Sequence, residues 1–148
     1  MASLNIACPC GCAGVTVEPL GTQRRPPRGG SNKKYSDCCG RYLDGGETAA
    51  TAEILMRSRY TAYTLLREDY VRSTWHPSTR PVALNLADEA ATKWIGLEVK
   101  RHEQRDAEHA IVEFVARYKV HGRAHRLHEV SRFVREAGRW YYVDGDVG

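Results

Sequence analysis

Five cysteines stand at positions 8, 10, 12, 38 and 39, and the remaining sequence to residue 148 contains no other. Most of the tryptophan, tyrosine and phenylalanine lies beyond them. This segregation divides the chain into two parts with different means of stability. Residues 1–47 carry only a handful of large apolar side chains, too few to bury a core, and a segment that small needs a staple. Residues 48–148 carry enough aromatic and aliphatic side chains for an ordinary core.

What the cysteines do depends on compartment. The opening residues, Met1 to Ala7, hold no basic stretch and no long apolar run, so no secretory leader is expected. No run approaches the ~18 apolar residues needed to cross a bilayer. A cytosolic location is the expectation, and in that reducing environment clustered cysteines bind metal or do chemistry rather than form disulfides. Zinc favours four tetrahedral ligands and binds thiolates well. Cys8-Pro9-Cys10 offers two thiols from one tight knuckle, and Cys38-Cys39 offers two more. Cys12 is one thiol in excess; it either replaces Cys10 as a ligand or stays outside the site. Four protein ligands leave no open position for water, so the zinc is expected to be structural.

Between the two cysteine groups, Gln23-Arg24-Arg25-Pro26-Pro27-Arg28-Gly29-Gly30-Ser31 reads as a loop, broken by proline and glycine. With Lys33 and Lys34 it forms a basic stretch that would attract nucleic acid weakly. The net charge of +4 is mild, and aromatic residues for stacking on bases are sparse in the stretch.

The second part changes period midway. Residues 52, 55, 56, 60, 63 and 66 are apolar at three-and-four spacing, which predicts a helix capped by Thr51. A short helix is expected from Asp69 to Trp75, a proline-broken loop over 76–81, and another short helix from Ala83 to Ala91. From Trp94 the pattern becomes alternating. Strands are expected over 94–105, 109–120, 124–136 and 139–147, joined by short turns. Helices first and then an antiparallel meander define an α+β domain with its helices on one face of a four-stranded sheet.

Cys8-Pro9-Cys10-Gly11 and Gly30-Ser31-Asn32-Lys33-Lys34-Tyr35-Ser36-Asp37-Cys38-Cys39-Gly40 together resemble the SEC-C zinc motif, named for the C-terminal tail of the SecA translocation ATPase. That motif ordinarily forms one compact block, here split by an insertion that carries Cys12. The positions matching its ligands are Cys8, Cys10, Cys38 and Cys39. Leu55 to Tyr63, Thr74 to Thr79, Leu127 to Phe133 and Trp140 to Gly145 resemble the YchJ-like bacterial proteins. In those, an SEC-C segment precedes a domain similar to nuclear transport factor 2. The resemblance implies a cone of helices on a curved sheet. It also implies protein docking, as the SecA tail docks on the SecB chaperone. It brings no activity, and it leaves open whether the protein is a monomer or a homodimer.

Such a cone encloses a cavity. Alternation puts residues 127, 129, 131 and 133 on one face of their strand, and Glu113 on one face with Ile111 and Val115. The candidate pocket is therefore Glu113, Glu129 and Ser131 facing Arg59, Tyr63, Trp75 and His76. A Glu–His pair there would do acid–base work in a small enzyme or hold a small ligand. The competing expectation is ordinary: the carboxylates pair with arginines such as Arg57 or Arg59, and His76 caps a turn. No phosphate loop, nucleophile elbow or helical His-x-x-x-His pair occurs. His121, His125 and His128 are expected on the surface.

Overall fold

The computed structural model describes residues 8–10, 34–89 and 91–148. Cys12 and the arginines of the basic loop lie outside the described residues. So does Lys33.

After a 3-10 turn at Tyr35–Asp37, a single helical turn, α1, spans Gly40–Leu43. The main helix, α2, spans Ala52–Thr64. It begins where the sequence provides a cap: the Thr51 hydroxyl accepts the Ile54 N–H at 3.1 Å. Ala52, Leu55, Met56 and Tyr60 of α2 are buried with residues of the sheet. Helix α3, Glu68–Ser73, packs back on α2, where the Ser58 hydroxyl lies 2.8 Å from the Tyr70 hydroxyl.

No α-helix forms over 83–89. The segment makes only a 3-10 turn at Leu86–Glu89. Asn85 takes a left-handed φ of 55°, which interrupts any helical run. The backbone N–H groups of Leu84 and Leu86 donate instead to the Glu68 carboxylate.

Strands β1 (Thr92–Gln104), β2 (His109–Val120), β3 (Arg123–Glu136) and β4 (Arg139–Val147) form an antiparallel sheet in sequence order. Two of the hairpins close on two-residue turns, His121-Gly122 and Ala137-Gly138. All four of these residues have positive φ, the geometry that matches strand twist. Register shifts in β1 at Trp94/Gly96 and Val99/Arg101, and in β4 where Val143 is skipped opposite Arg132/Phe133, add local bends.

Register decides which side chains meet the helices. Ala110, Val112, Phe114 and Ala116 pair with Phe133, Ser131, Glu129 and Leu127 respectively, and this face looks toward α2. The opposite face carries ion pairs, among them Arg132 with Asp144 and Asp146, and Arg101 with Glu113. Among the described residues, no helix is long and apolar enough to cross a membrane.

Candidate functional site

Two places concentrate chemistry, and α2 touches both. The first is a knot of sulfur. The Sγ atoms of Cys8, Cys10, Cys38 and Cys39 all lie within 4.8 Å of one another. Cys8 and Cys10 approach to 3.5 Å, Cys10 and Cys38 to 3.6 Å, and Cys38 and Cys39 to 4.0 Å. A disulfide would bring two sulfurs to about 2.0 Å, so these pairs are not bonded to each other. Four sulfurs each about 2.3 Å from a central ion stand about 3.8 Å apart along a tetrahedron's edges. The observed spacings bracket that value, so the cluster fits a tetrahedral cation.

Local structure explains the convergence. Cys38 and Cys39 follow the 3-10 turn and lead into α1, so two consecutive thiols face the same way. The Cys8-Pro9-Cys10 turn is held by Arg57 of α2, whose Nη1 donates to the Cys10 carbonyl at 2.7 Å. One helical turn later, the Thr61 hydroxyl donates to Cys39 Sγ at 3.2 Å. Cys8, Cys10 and Cys39 are buried, and Cys38 is partly exposed. They share a core with Tyr35, Leu43, Ala62, Val71 and Leu86, so the sulfur knot is packed onto α2 and α3.

The thiols press on one another's protons. Hydrogen bonds from its sulfur neighbours, Cys10 first, hold the Cys8 thiol far below its ordinary value. A bond with Cys10 likewise brings Cys38 down to about 7. Cys10 is pushed up, first by Cys38 and Cys39 and then by burial. A packed thiol cluster cannot ionise throughout without a compensating positive charge, and a divalent cation would supply it.

The second place is a cavity of about 280 Å³ between α2, the segment around Trp75 and the inner face of the sheet. Its walls include Arg59, Tyr63 and Trp75 from the sequence-derived candidates, together with Glu129 and Ser131. Arg59 is buried, and its Nη1 donates to the Val71 carbonyl and the Thr74 hydroxyl, each at 2.7 Å. Its guanidinium lies 5.2 Å from the Trp75 ring centre and 4.6 Å from that of Tyr142. Burial lowers its pKa from the usual arginine value. Across the cavity, Glu129 Oε2 accepts from the Ser131 hydroxyl at 2.5 Å and the Tyr142 hydroxyl at 3.1 Å. The Tyr142 phenol is pushed up, by burial first and by Glu129 second. Gly145 makes room for that carboxylate: a Cβ there would meet Glu129 Oε2.

Glu113 and His76 do not join the pocket. Glu113 does share a face with Ile111 and Val115, but register makes it the outer face. There its Oε2 lies 2.7 Å from His128 Nε2. His76 directly follows Trp75 in an extended stretch beside β4, so the two side chains point to opposite sides. The imidazole lies 2.8 Å from Glu136 and 2.7 Å from the Ser78 hydroxyl. The acid–base pair expected inside the cavity is therefore absent among the described residues.

Sequence reasoning had no role for Thr61, and it considered Arg57 only as a carboxylate partner. Their signal was present as a second stripe on α2, where Arg57 and Thr61 stand four residues apart. Tyr142 was likewise missed: the carboxylates of β4, Asp144 and Asp146, pair with Arg132 on the outer face and do not point to it.

Comparison with known proteins covers both places. A family model described as the YchJ middle NTF2-like domain matches residues 51–145. A UPF0225 protein of Polaromonas naphthalenivorans is 52% identical over 97% of this chain and 98% of its own length. A UPF0225 protein of Chromobacterium violaceum is 60% identical over 80% of this chain and 90% of its own. Among solved structures, a SEC-C motif containing protein from Rhodopseudomonas palustris superposes with a TM-score of 0.72 at 36% identity, covering 80% of this chain and 95% of that one. Another from Psychrobacter arcticus gives 0.71 at 32% identity, covering 98% and 85%.

Proposed function

The chain belongs to the YchJ family, and from that premise we propose that it is a zinc-stapled protein that binds a small molecule in the cavity beneath α2. Cys8, Cys10, Cys38 and Cys39 are the proposed ligands of a single structural zinc ion. Thiolate sulfur in a four-fold cluster of this spacing suits zinc better than a hard cation such as magnesium or calcium. The ion's task is to neutralise the thiolates and tie the two cysteine segments to α2. A closed set of four protein ligands leaves it no catalytic position. The reading places the protein in the cytosol, where the thiols stay reduced.

The observation that carries the ligand-binding reading is the contrast in burial. The sulfur knot is packed into the fold, while the cone retains an open, mixed polar and aromatic cavity. Metal analysis of the purified protein should find one equivalent of zinc. A small-molecule fragment library screened by NMR should give binders that shift the signals of Trp75 and Tyr142. The absence of any such binder would sink the reading.

A second reading makes the metal segment a dock for another protein, as the SEC-C resemblance implies. It is favoured by Lys34, Ser36 and Asp37, which stand exposed beside partly exposed Cys38. Capture of a partner from lysate that chelator abolishes would support it.

A further inference from the structure

We propose that the molecule taken up by the cavity is a small organic carboxylate with a compact apolar body, and that Arg59 recognises its anionic end. The inference deepens the ligand-binding reading and rests on it.

Arg59 is 6% exposed, yet no carboxylate among the described residues lies within ion-pairing distance of it. Its Nη1 is spent on two neutral acceptors. Nε and Nη2 make no hydrogen bond among the described residues. Two ring faces flank the guanidinium. Neutral oxygens and aromatic faces offset part of the cost of burying a cation, but a counter-charge is the larger compensation. The remaining donors belong to a planar fork whose geometry matches a carboxylate.

The other walls select the body of the ligand. Met56, Tyr60, Trp94, Phe114, Leu127 and Phe133 present apolar and aromatic surface. The cavity has room for about one ring and its substituents. Glu129 is the second charged group in the lining, and it repels an anion. The two charges thus orient the occupant, with its carboxylate at Arg59 and its uncharged end toward Glu129. A hydroxyl at that end could donate to the Glu129 oxygen not already engaged.

The test compares two probes of nearly equal shape, benzoate and benzamide, titrated into the full-length metal-loaded protein and followed by NMR. Benzoate is expected to shift the Arg59 Nε–H and Trp75 indole signals and to bind about tenfold or more tightly than benzamide. Arg59→Met should bring benzoate down to the level of benzamide. Because Arg59 also ties α3 to α2, its loss disturbs packing as well as recognition, so Glu129→Gln provides an independent arm. Removing the repelling charge should tighten benzoate severalfold and leave benzamide unchanged. Equal affinity for the two probes, with the Arg59 signal unmoved, overturns anion recognition and leaves the cavity as a ligand site. Binding of neither probe, with no fragment found either, removes the ligand-binding reading and this inference together.

Discussion

Trp140, Phe133 and Phe114 are buried by side chains drawn from the sheet and α2, whereas Cys8, Cys10 and Cys39 are buried around one another and a few residues of α1, α2 and α3. The first cluster would persist with any apolar set of similar volume, because area removed from water is what stabilises it. The second depends on chemistry: its central side chains are small, and their packing brings together groups that repel once ionised. A protein can therefore hold two adjacent cores of which only one is generic.

That difference is open to direct attack. The largest effect is expected from Trp140→Ala, which removes the bulkiest buried side chain of the apolar cluster. A loss of about 4 kcal/mol follows from comparable core truncations. The midpoint of thermal unfolding should fall by roughly 12 °C, with one equivalent of zinc still bound below it. Cys39→Ser should do the reverse. The metal proposed for the thiol cluster should be missing from the purified variant, and stability should fall by about 3 kcal/mol. Hydrogen exchange should then speed up at α2 and α3 while the β2–β3 amides keep their protection. If instead the sheet opens together with the thiol knot, the two cores are one cooperative unit and the contrast drawn here fails.

Smaller changes sharpen the same line. Thr61→Val removes the hydroxyl that donates to Cys39 Sγ and should cost about 1 kcal/mol. In the cobalt-substituted protein it should also move the thiolate-to-metal absorption bands, which no change in the apolar cluster should do. Ala137→Asn is expected to stabilise by about 0.5 kcal/mol, because asparagine tolerates the left-handed φ that alanine holds in the β3–β4 turn. Urea unfolding checks it, and its effect should be the same with or without metal.

Much of this was legible beforehand. Alternation located all four strands within two residues of their ends, because a half-buried strand writes its geometry into every second side chain. The Thr51 cap and the face of α2 against the sheet were equally plain. The failure of the expected short helix over 83–89 was not. It depended on the φ of Asn85 and on backbone N–H groups donating to the Glu68 carboxylate, which lies far upstream. The convergence of the four cysteines was readable because two short segments that each carry paired thiols suit a single shared cation. The pocket was readable by half. Alternation groups Glu113 with Ile111 and Val115, and Glu129 with Ser131, but it does not say which group faces the helices. That is fixed by strand register, which sets Glu129 opposite Phe114. His76 failed for a related reason, since its neighbour Trp75 takes the inward side.

Helix α2 is held at Arg57 and Thr61 by the cysteine segments and lends Arg59 and Tyr63 to the cavity. Anyone dissecting the protein at residue 48 to obtain a tidier crystallisation target would strip one flank of that helix. Ala62, Val71 and Leu86 would then meet water. The fragment would be stickier than its parent, and an empty binding assay on it would say nothing about the intact chain.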